Sequence, residues 1–464
     1  MSHLMQEPKR ILQLGLPLIA AQFAHVAIVL TDTLLMGTLG TQGLAAGGLG
    51  AATFSTLHIV CVGVLTAISN IVAHAHGAQK DQDITQAVHG GFCMALLLAC
   101  GCWLLLWNCK PILLGLGQSE STIDLARPYL RAIMWGIAPS LCYTVLRGFT
   151  VGLSRPVLIM TITLVAVVLN ATLGYALMHG LMGLPALGLQ GLGLSSTLVF
   201  CFMFASLALS TLRQPDLAAY RPFSGGLKFN SSMLIRILRQ GMPIGIVYGI
   251  ESSLFTVSAY FMGMLGTVPL AAHHIVTQCA YVTFMVPMGL SQATSMLISH
   301  SAGTRDIPLA RRLGRTGLAL GSLWTLMMTL VFFLMPERIV SFFIDPGQPD
   351  HAAVATLATQ LLAIAGVFQL FDGSQEIAVG ALRALEESRR ALGITLISYC
   401  LLGIPLAYIL GIFLDYGGVG IWWGLAAGLV SAAGLLVWCF ERAISRLLSQ
   451  FQSSSPSGQC TWGS

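Results

Sequence analysis

Charge is what this sequence has least of. Only 9% of its 464 residues are charged and 55% are hydrophobic, whereas a soluble domain carries about 25% charged residues. That balance excludes a water-soluble globular domain. No basic run is interleaved with aromatics, and the net charge of +5 is spread over the connections between apolar segments. Nucleic-acid partners are therefore not expected. A disulfide or metal framework is missing as well. The 11 cysteines lie mostly inside apolar stretches (among them Cys93, Cys100, Cys102, Cys142, Cys201, Cys279, Cys400 and Cys439) and read as small buried hydrophobes. No His/Cys/Asp set stands at ligand spacing, so no metal and no cofactor is expected. A cleavable leader is not expected either. Lys9 and Arg10 precede an apolar run, but Ile11 to Met36 is too long for a leader core and contains His25 and Asp32. It reads as a retained first spanning helix.

Apolar length is what the chain has in abundance. Twelve segments long enough to cross a bilayer can be drawn, the first at 11–36 and the last at 418–440. The expected fold is an all-α integral membrane protein with twelve transmembrane helices. An even count puts both termini on one side. Of the 23 Lys and Arg residues, all but Lys110, Arg127, Arg131 and Arg338 then fall on that same side. The positive-inside rule makes that side cytoplasmic. The 50 glycines suit close helix packing in lipid, where small residues let backbones approach.

The two halves repeat. At one constant offset Gly15 and Pro17 meet Gly241 and Pro243, Met36-Gly37 meets Met262-Gly263, and Leu39-Gly40-Thr41 meets Leu265-Gly266-Thr267. Gly63 meets Gly289, and His74 and Gly77 meet His300 and Gly303. The polar stretch at 213–232 separates the copies. The expected domains are a six-helix lobe at 1–222, a second at 223–448, and a disordered cytoplasmic tail at 449–464. Such pseudo-symmetric lobes bracket a central path and rock against each other. Prolines inside the segments (Pro17, Pro139, Pro243, Pro287, Pro405) remove a backbone bond and permit bends, as fixed kinks or as hinges.

A few acids stand in this apolar sequence. Glu251 sits in the middle of ILRQGMPIGIVYGIESSLFTVSAYFMGMLG, and a carboxylate there costs roughly 2.5–3.5 kcal/mol on insertion scales. Counted at about 1.5 Å per residue, Glu251 lies about 18 Å from the cytoplasmic end and Asp372 about 16 Å, so the two can share one mid-membrane layer. Two such carboxylates share a proton or hold a cation between them. Asp32 lies nearer the outer end of its helix. All three are candidate coupling residues, with hydrogen-bonded helix contacts as the structural alternative. Glu376 is one turn from Asp372 and either extends the acidic path or pairs with Arg383. His25 aligns with Glu251 in the repeat and is a candidate relay. Asn170 is either a cavity-lining residue or a contact between helices. Phe368 and Gln278 complete the set of possible substrate or relay positions. The methionines Met262, Met264, Met285, Met288 and Met296 would line a cavity adaptably or simply pack.

These stretches together resemble the multidrug and toxic compound extrusion (MATE) family, in its NorM-like bacterial branch. The resemblance covers roughly residues 8–445. It rests on VLTDTLLMG around Asp32, IESSLF around Glu251, YLRAIMWGIAP at 129–139, AAHHIVTQCAYVTFMVPMGLSQATSMLISHSAG at 271–303 and VFQLFDGSQEIAVGALRALEESR at 367–389. It implies two six-helix lobes in a V, open outward in many members. It also implies export of cationic or amphipathic drugs and dyes in exchange for H⁺ or Na⁺, from the bacterial inner membrane, by a monomer. Glu251 and Asp372 match the family's second-lobe coupling pair and Asp32 its first-lobe acid. Some members place a tyrosine four residues before the second-lobe aspartate. Phe368 stands there instead, so a phenol oxygen is missing and the balance tilts toward H⁺. Glu386-Glu387 replaces a usual Gly-Asp, and Gly174 a second asparagine common after Asn170.

Two other readings compete. A flippase for lipid-linked precursors would want a strongly cationic cavity, whereas Arg and Lys fall at the ends of the apolar segments. An intramembrane acid/base enzyme would need a nucleophile or metal set, and the sequence offers none at the required spacing.

Overall fold

The computed structural model describes residues 6–115, 117–181, 183, 185–220, 222–223, 230–344 and 349–454. Among the described residues the chain is helical and contains no strand. The first half holds α1 (Gln6–Thr38), α2 (Gly40–Gly77), α3 (Asp81–Trp107), α4 (Cys109–Gly115), α5 (Glu120–Ile133), α6 (Ile137–Gly152), α7 (Val157–His179), α8 (Leu189–Arg213) and the short α9 (Pro215–Ala218). The second holds α10 (Ser231–Leu265), α11 (Thr267–Gly303), α12 (Ile307–Leu334), α13 (Pro336–Ser341), α14 (Pro349–Ala384), α15 (Ser388–Thr395), α16 (Ile404–Tyr408) and α17 (Gly417–Ser454). Ten helical stretches are long and apolar enough to cross a membrane. α11, with 37 residues, and the α5–α6 pair complete the twelve.

Two spans are not regular, and each irregularity lies beside a proline. A single 3₁₀ turn, Met134–Gly136, separates α5 from α6, and Pro139 follows it. Proline carries no N–H, so the carbonyl four residues back loses its usual partner. Around Pro405 the same loss coincides with two wide π-helical stretches, Leu396–Gly403 and Ile409–Phe413, on either side of α16. Pro17, Pro243 and Pro287 lie inside otherwise continuous helices.

α2 forms the centre of the first half, packed on α3, α5 and α6. α14 plays that part in the second half, against α11, α12 and α17. The stretch expected to be a linker contains α9, held by Arg155 and Asp216 at 2.7 Å; residues 224–229 lie outside the described residues. The expectation of a disordered tail at 449–464 needs correcting at its start. α17 runs on to Ser454, because the amphipathic stretch after Glu441 continues one helical pattern. The remainder lies outside the described residues.

The halves meet through α1 against α11 and α2 against α10, and the contact obeys the sequence repeat. Gly15 faces Leu290, and its counterpart Gly241 faces Val64. Gly63 faces Gly245, and its counterpart Gly289 faces Ile19. Gly77 abuts the His300 carbonyl, while Gly303 abuts the His74 carbonyl. A Cβ on Gly63 would come within 2.6 Å of Gly245 Cα, closer than carbon atoms pack, so glycine is required there. These approaches gather at the end that carries the chain termini. Further bonds join the halves near that end: Arg312 to Glu7 at 3.1 Å, Ser295 to Asn70 at 3.0 Å, and Arg147 to Gln292 at 2.8 Å.

Gly241→Val should wedge this junction apart. The expected loss is about 1–3 kcal/mol, the usual cost of overpacking, read as a lower midpoint in thermal unfolding of detergent-purified protein. Gly48→Val, where nothing lies within 4 Å, should leave the midpoint unchanged.

Candidate functional site

The second half gathers its acids in one pocket between α10 and α14. Glu251 lies one turn beyond Tyr248 on α10. On α14, Asp372, Gln375 and Glu376 fall on one face at helical spacing. Gln375 Nε2 donates to Glu251 Oε1 at 3.0 Å. Asp372 has Glu251 and Glu376 as its electrostatic neighbours. Ser291 on α11 donates to the backbone carbonyl of Glu376 at 2.9 Å. Tyr399, from the first π-helical stretch, is buried close to all three carboxylates.

Arg383 closes the pocket. Of the two expectations for Glu376, the pair with Arg383 is present, but Arg383, expected near the helix end, is buried. Its side chain is 5% exposed and lies 3.7 Å from Glu376, itself 3% exposed. Arg383 Nη1 donates to Tyr248 OH at 3.0 Å, and the guanidinium carbon stands 4.9 Å from the Tyr248 ring centroid. The cause is helix length: α14 continues through Ala384, so Arg383 still belongs to its inward face. The helix turns only at Glu386, which adopts a left-handed φ of 62° and binds Arg236 at 2.8 Å. Glu386 is held below the usual carboxylate range: partial burial pushes it up, and the Arg236 pair outweighs that push.

Asp32 has its own setting in the first half. Asn170 Nδ2 donates to Asp32 Oδ1 at 2.7 Å, and Asn170 is fully buried. Ser196 and Tyr129 lie nearby. Asn170 thus joins α7 to α1 through the first-half acid. His25 lies two turns below Asp32, about 10 Å along the axis, in a different group. Its neighbours are His58 and Arg147, and His58 Nε2 contacts Ser140 Oγ at 2.6 Å.

The remaining candidates separate from the acids. Phe368 is buried between Phe255 and Trp422, with ring centroids 6.4 and 5.7 Å away. Gln278 is exposed on α11. Met262, Met285 and Met296 are buried packing residues, and Met264 is 67% exposed. Sequence reasoning missed Tyr248, Gln375, Tyr399 and His58. Tyr248 and Gln375 carried a signal, since each stands three positions from an acid on the same helix. Tyr399 and His58 carried none, because they arrive from other helices.

Asn170→Ala should cost roughly 1.5–3 kcal/mol, the range for a hydrogen bond to a charged group. A double-mutant cycle with Asp32→Asn, read by thermal unfolding, should show less than additive loss.

The MatE family model matches residues 17–176 and 243–409, the two halves in turn. A probable multidrug resistance protein NorM from Pseudomonas aeruginosa is 43% identical over 97% of this chain and 92% of its own length. A protein of the same description from Pseudomonas syringae pv. tomato is 42% identical over 94% and 95%. Solved structures share the fold at low identity. A eukaryotic MATE transporter superposes with a TM-score of 0.84 at 17% identity, covering 96% of this chain and 99% of that one. An outward-facing multidrug resistance MATE transporter gives 0.83 at 18%, covering 95% and 96%. With twelve spans in two matched halves, a cluster of carboxylates in the second and a buried acid in the first, the chain belongs to the MATE family, in its NorM-like branch.

Proposed function

We propose that this protein is a secondary active multidrug antiporter of the bacterial inner membrane, with both termini cytoplasmic. It exports cationic or amphipathic compounds in exchange for a cation, by alternating access between its lobes. The observation that carries the reading is the grouping of Glu251, Asp372 and Glu376, all buried or half-buried, between α10 and α14. Intramembrane carboxylates held together at such cost are retained where an ion must visit them. The description of the Pseudomonas relatives as multidrug resistance proteins supports the substrate class. Phe368, which brings no oxygen to the pocket, supports the proton as the coupling ion.

In this cycle Glu251 and Asp372 take up a proton from the outer side and release it inside, and the change of charge alters how the pocket receives a cationic substrate. Asp32 serves the first lobe, with Asn170 orienting it. The glycine-lined junction at the terminal end is the surface that opens when the lobes rock. The tendency of Lys and Arg to lie on one side of the spans supports the orientation.

Everted membrane vesicles loaded with a lipophilic cationic dye provide the test. A pH gradient should drive dye uptake in the wild type, and a Na⁺ gradient alone should drive little. Glu251→Gln and Asp372→Asn should each lower uptake at least tenfold while reaching the membrane in normal amount. Normal uptake by both variants would sink the proposal, and uptake driven by Na⁺ alone would overturn the proton assignment.

A further inference from the structure

We infer that Arg383 is a positioning residue for the second-lobe acids, one that keeps Glu376 a permanent carboxylate and leaves Glu251 and Asp372 as the pair that exchanges a proton. The inference rests on the proposed antiport and gives Glu376 a part different from that of Glu251 and Asp372.

The geometry divides the pocket. Arg383 is paired with Glu376 at 3.7 Å, with both side chains at most 5% exposed. Arginine does not lose its proton in proteins, so a charge of one sign is fixed here. A buried guanidinium needs a compensating anion, and Glu376 is the carboxylate within reach. Tyr248 meets the same Nη1 that faces Glu376, accepting a hydrogen bond from it and lying with its ring near the guanidinium. Glu251 has a different partner, the neutral amide of Gln375, and Asp372 faces the other acids. Neither forms an ion pair among the described residues. The groups around Glu376 are therefore Tyr248 and Glu251 from α10, Ser291 from α11, Asp372 and Arg383 from α14, and Tyr399 from the π-helical stretch.

The first lobe supplies an independent comparison. Leu146-Arg147-Gly148 on α6 resembles Leu382-Arg383-Ala384 on α14, ten residues beyond the offset that relates the first two helices of each half. Counting back two turns from each arginine places Ser140 where the second lobe has Glu376. At the repeat offset His25 stands where the second lobe has Glu251. With Ser140 in place of a carboxylate, Arg147 has His25 as a neighbour in its own lobe but no ion pair among the described residues. It crosses to α11 and donates to Gln292 Oε1 at 2.8 Å. Arg383, with a carboxylate two turns back, pairs within its own lobe.

Infrared spectroscopy of purified protein reads the charge states without transport. The protonated-carboxyl band is followed as pH is lowered. In the wild-type background, Glu376→Gln should leave the growth of this band unchanged. In the Arg383→Gln background, the same substitution should remove one carboxyl from it. In vesicles, Arg383→Gln should move the pH profile of dye uptake upward by about one unit or more, the scale of losing a nearby opposite charge. Arg383→Lys should largely restore the profile. Loss of band amplitude in Glu376→Gln alone overturns the inference, even if Arg383→Gln fails to fold. An unshifted profile in folded Arg383→Gln also overturns it. Absence of any gradient-driven uptake by the wild type counts against the antiport reading instead, and the infrared arm still decides the role of Arg383.

Discussion

A charge inside a bilayer must find a partner or be neutralised, and that constraint shapes the rest of this molecule. The backbone meets it first. Helices satisfy every interior N–H and C=O within the segment, so helices are what cross. The side chains meet it next. Asp32 is taken by Asn170, Glu251 by Gln375, and Glu376 by Arg383. Most remaining charges lie at helix ends, in pairs such as Arg315–Glu441 and Lys110–Glu120, where solvent screens them and each adds little.

The same constraint explains what close packing does here. Lipid tails are as apolar as leucine, so burial alone does not hold two lobes together in a membrane. The lobes meet instead through small residues. Gly63 against Gly245 and Gly289 against Ile19 bring backbones into direct contact. A few polar bonds, such as Asn70 with Ser295, add direction to that contact. A junction built from glycine and scattered hydrogen bonds is compact and short of interlocking side chains, which suits two bodies that rock.

Much of this was legible in the chain. The apolar lengths, the one-sided Lys and Arg, and the matched glycines of the two halves specify a twelve-span repeat protein, because bilayer thickness and chain duplication act directly on sequence. The three carboxylates were legible because acids are rare in apolar runs. Arg383 was misplaced because sequence cannot say whether a cation near a helix end lies before or after the helix turns away. Asn170 was ambiguous because one polar residue mid-helix serves glue and cavity equally well. Its partner came into view only with α1 lying against α7. Tyr399 was invisible because its approach depends on two wide turns that no periodicity announces.

Those wide turns carry a consequence of their own. A π-turn holds an extra residue, so the stretch from Leu396 to Phe413 contains spare chain that a regular helix would spread lengthwise. Passing one such turn along the segment swings each side chain it crosses by about 100°, the angular step of one residue. Tyr399 stands within this stretch. The wall of the acid pocket can therefore be re-aimed by sliding slack along a single helix, with neither end of it moving.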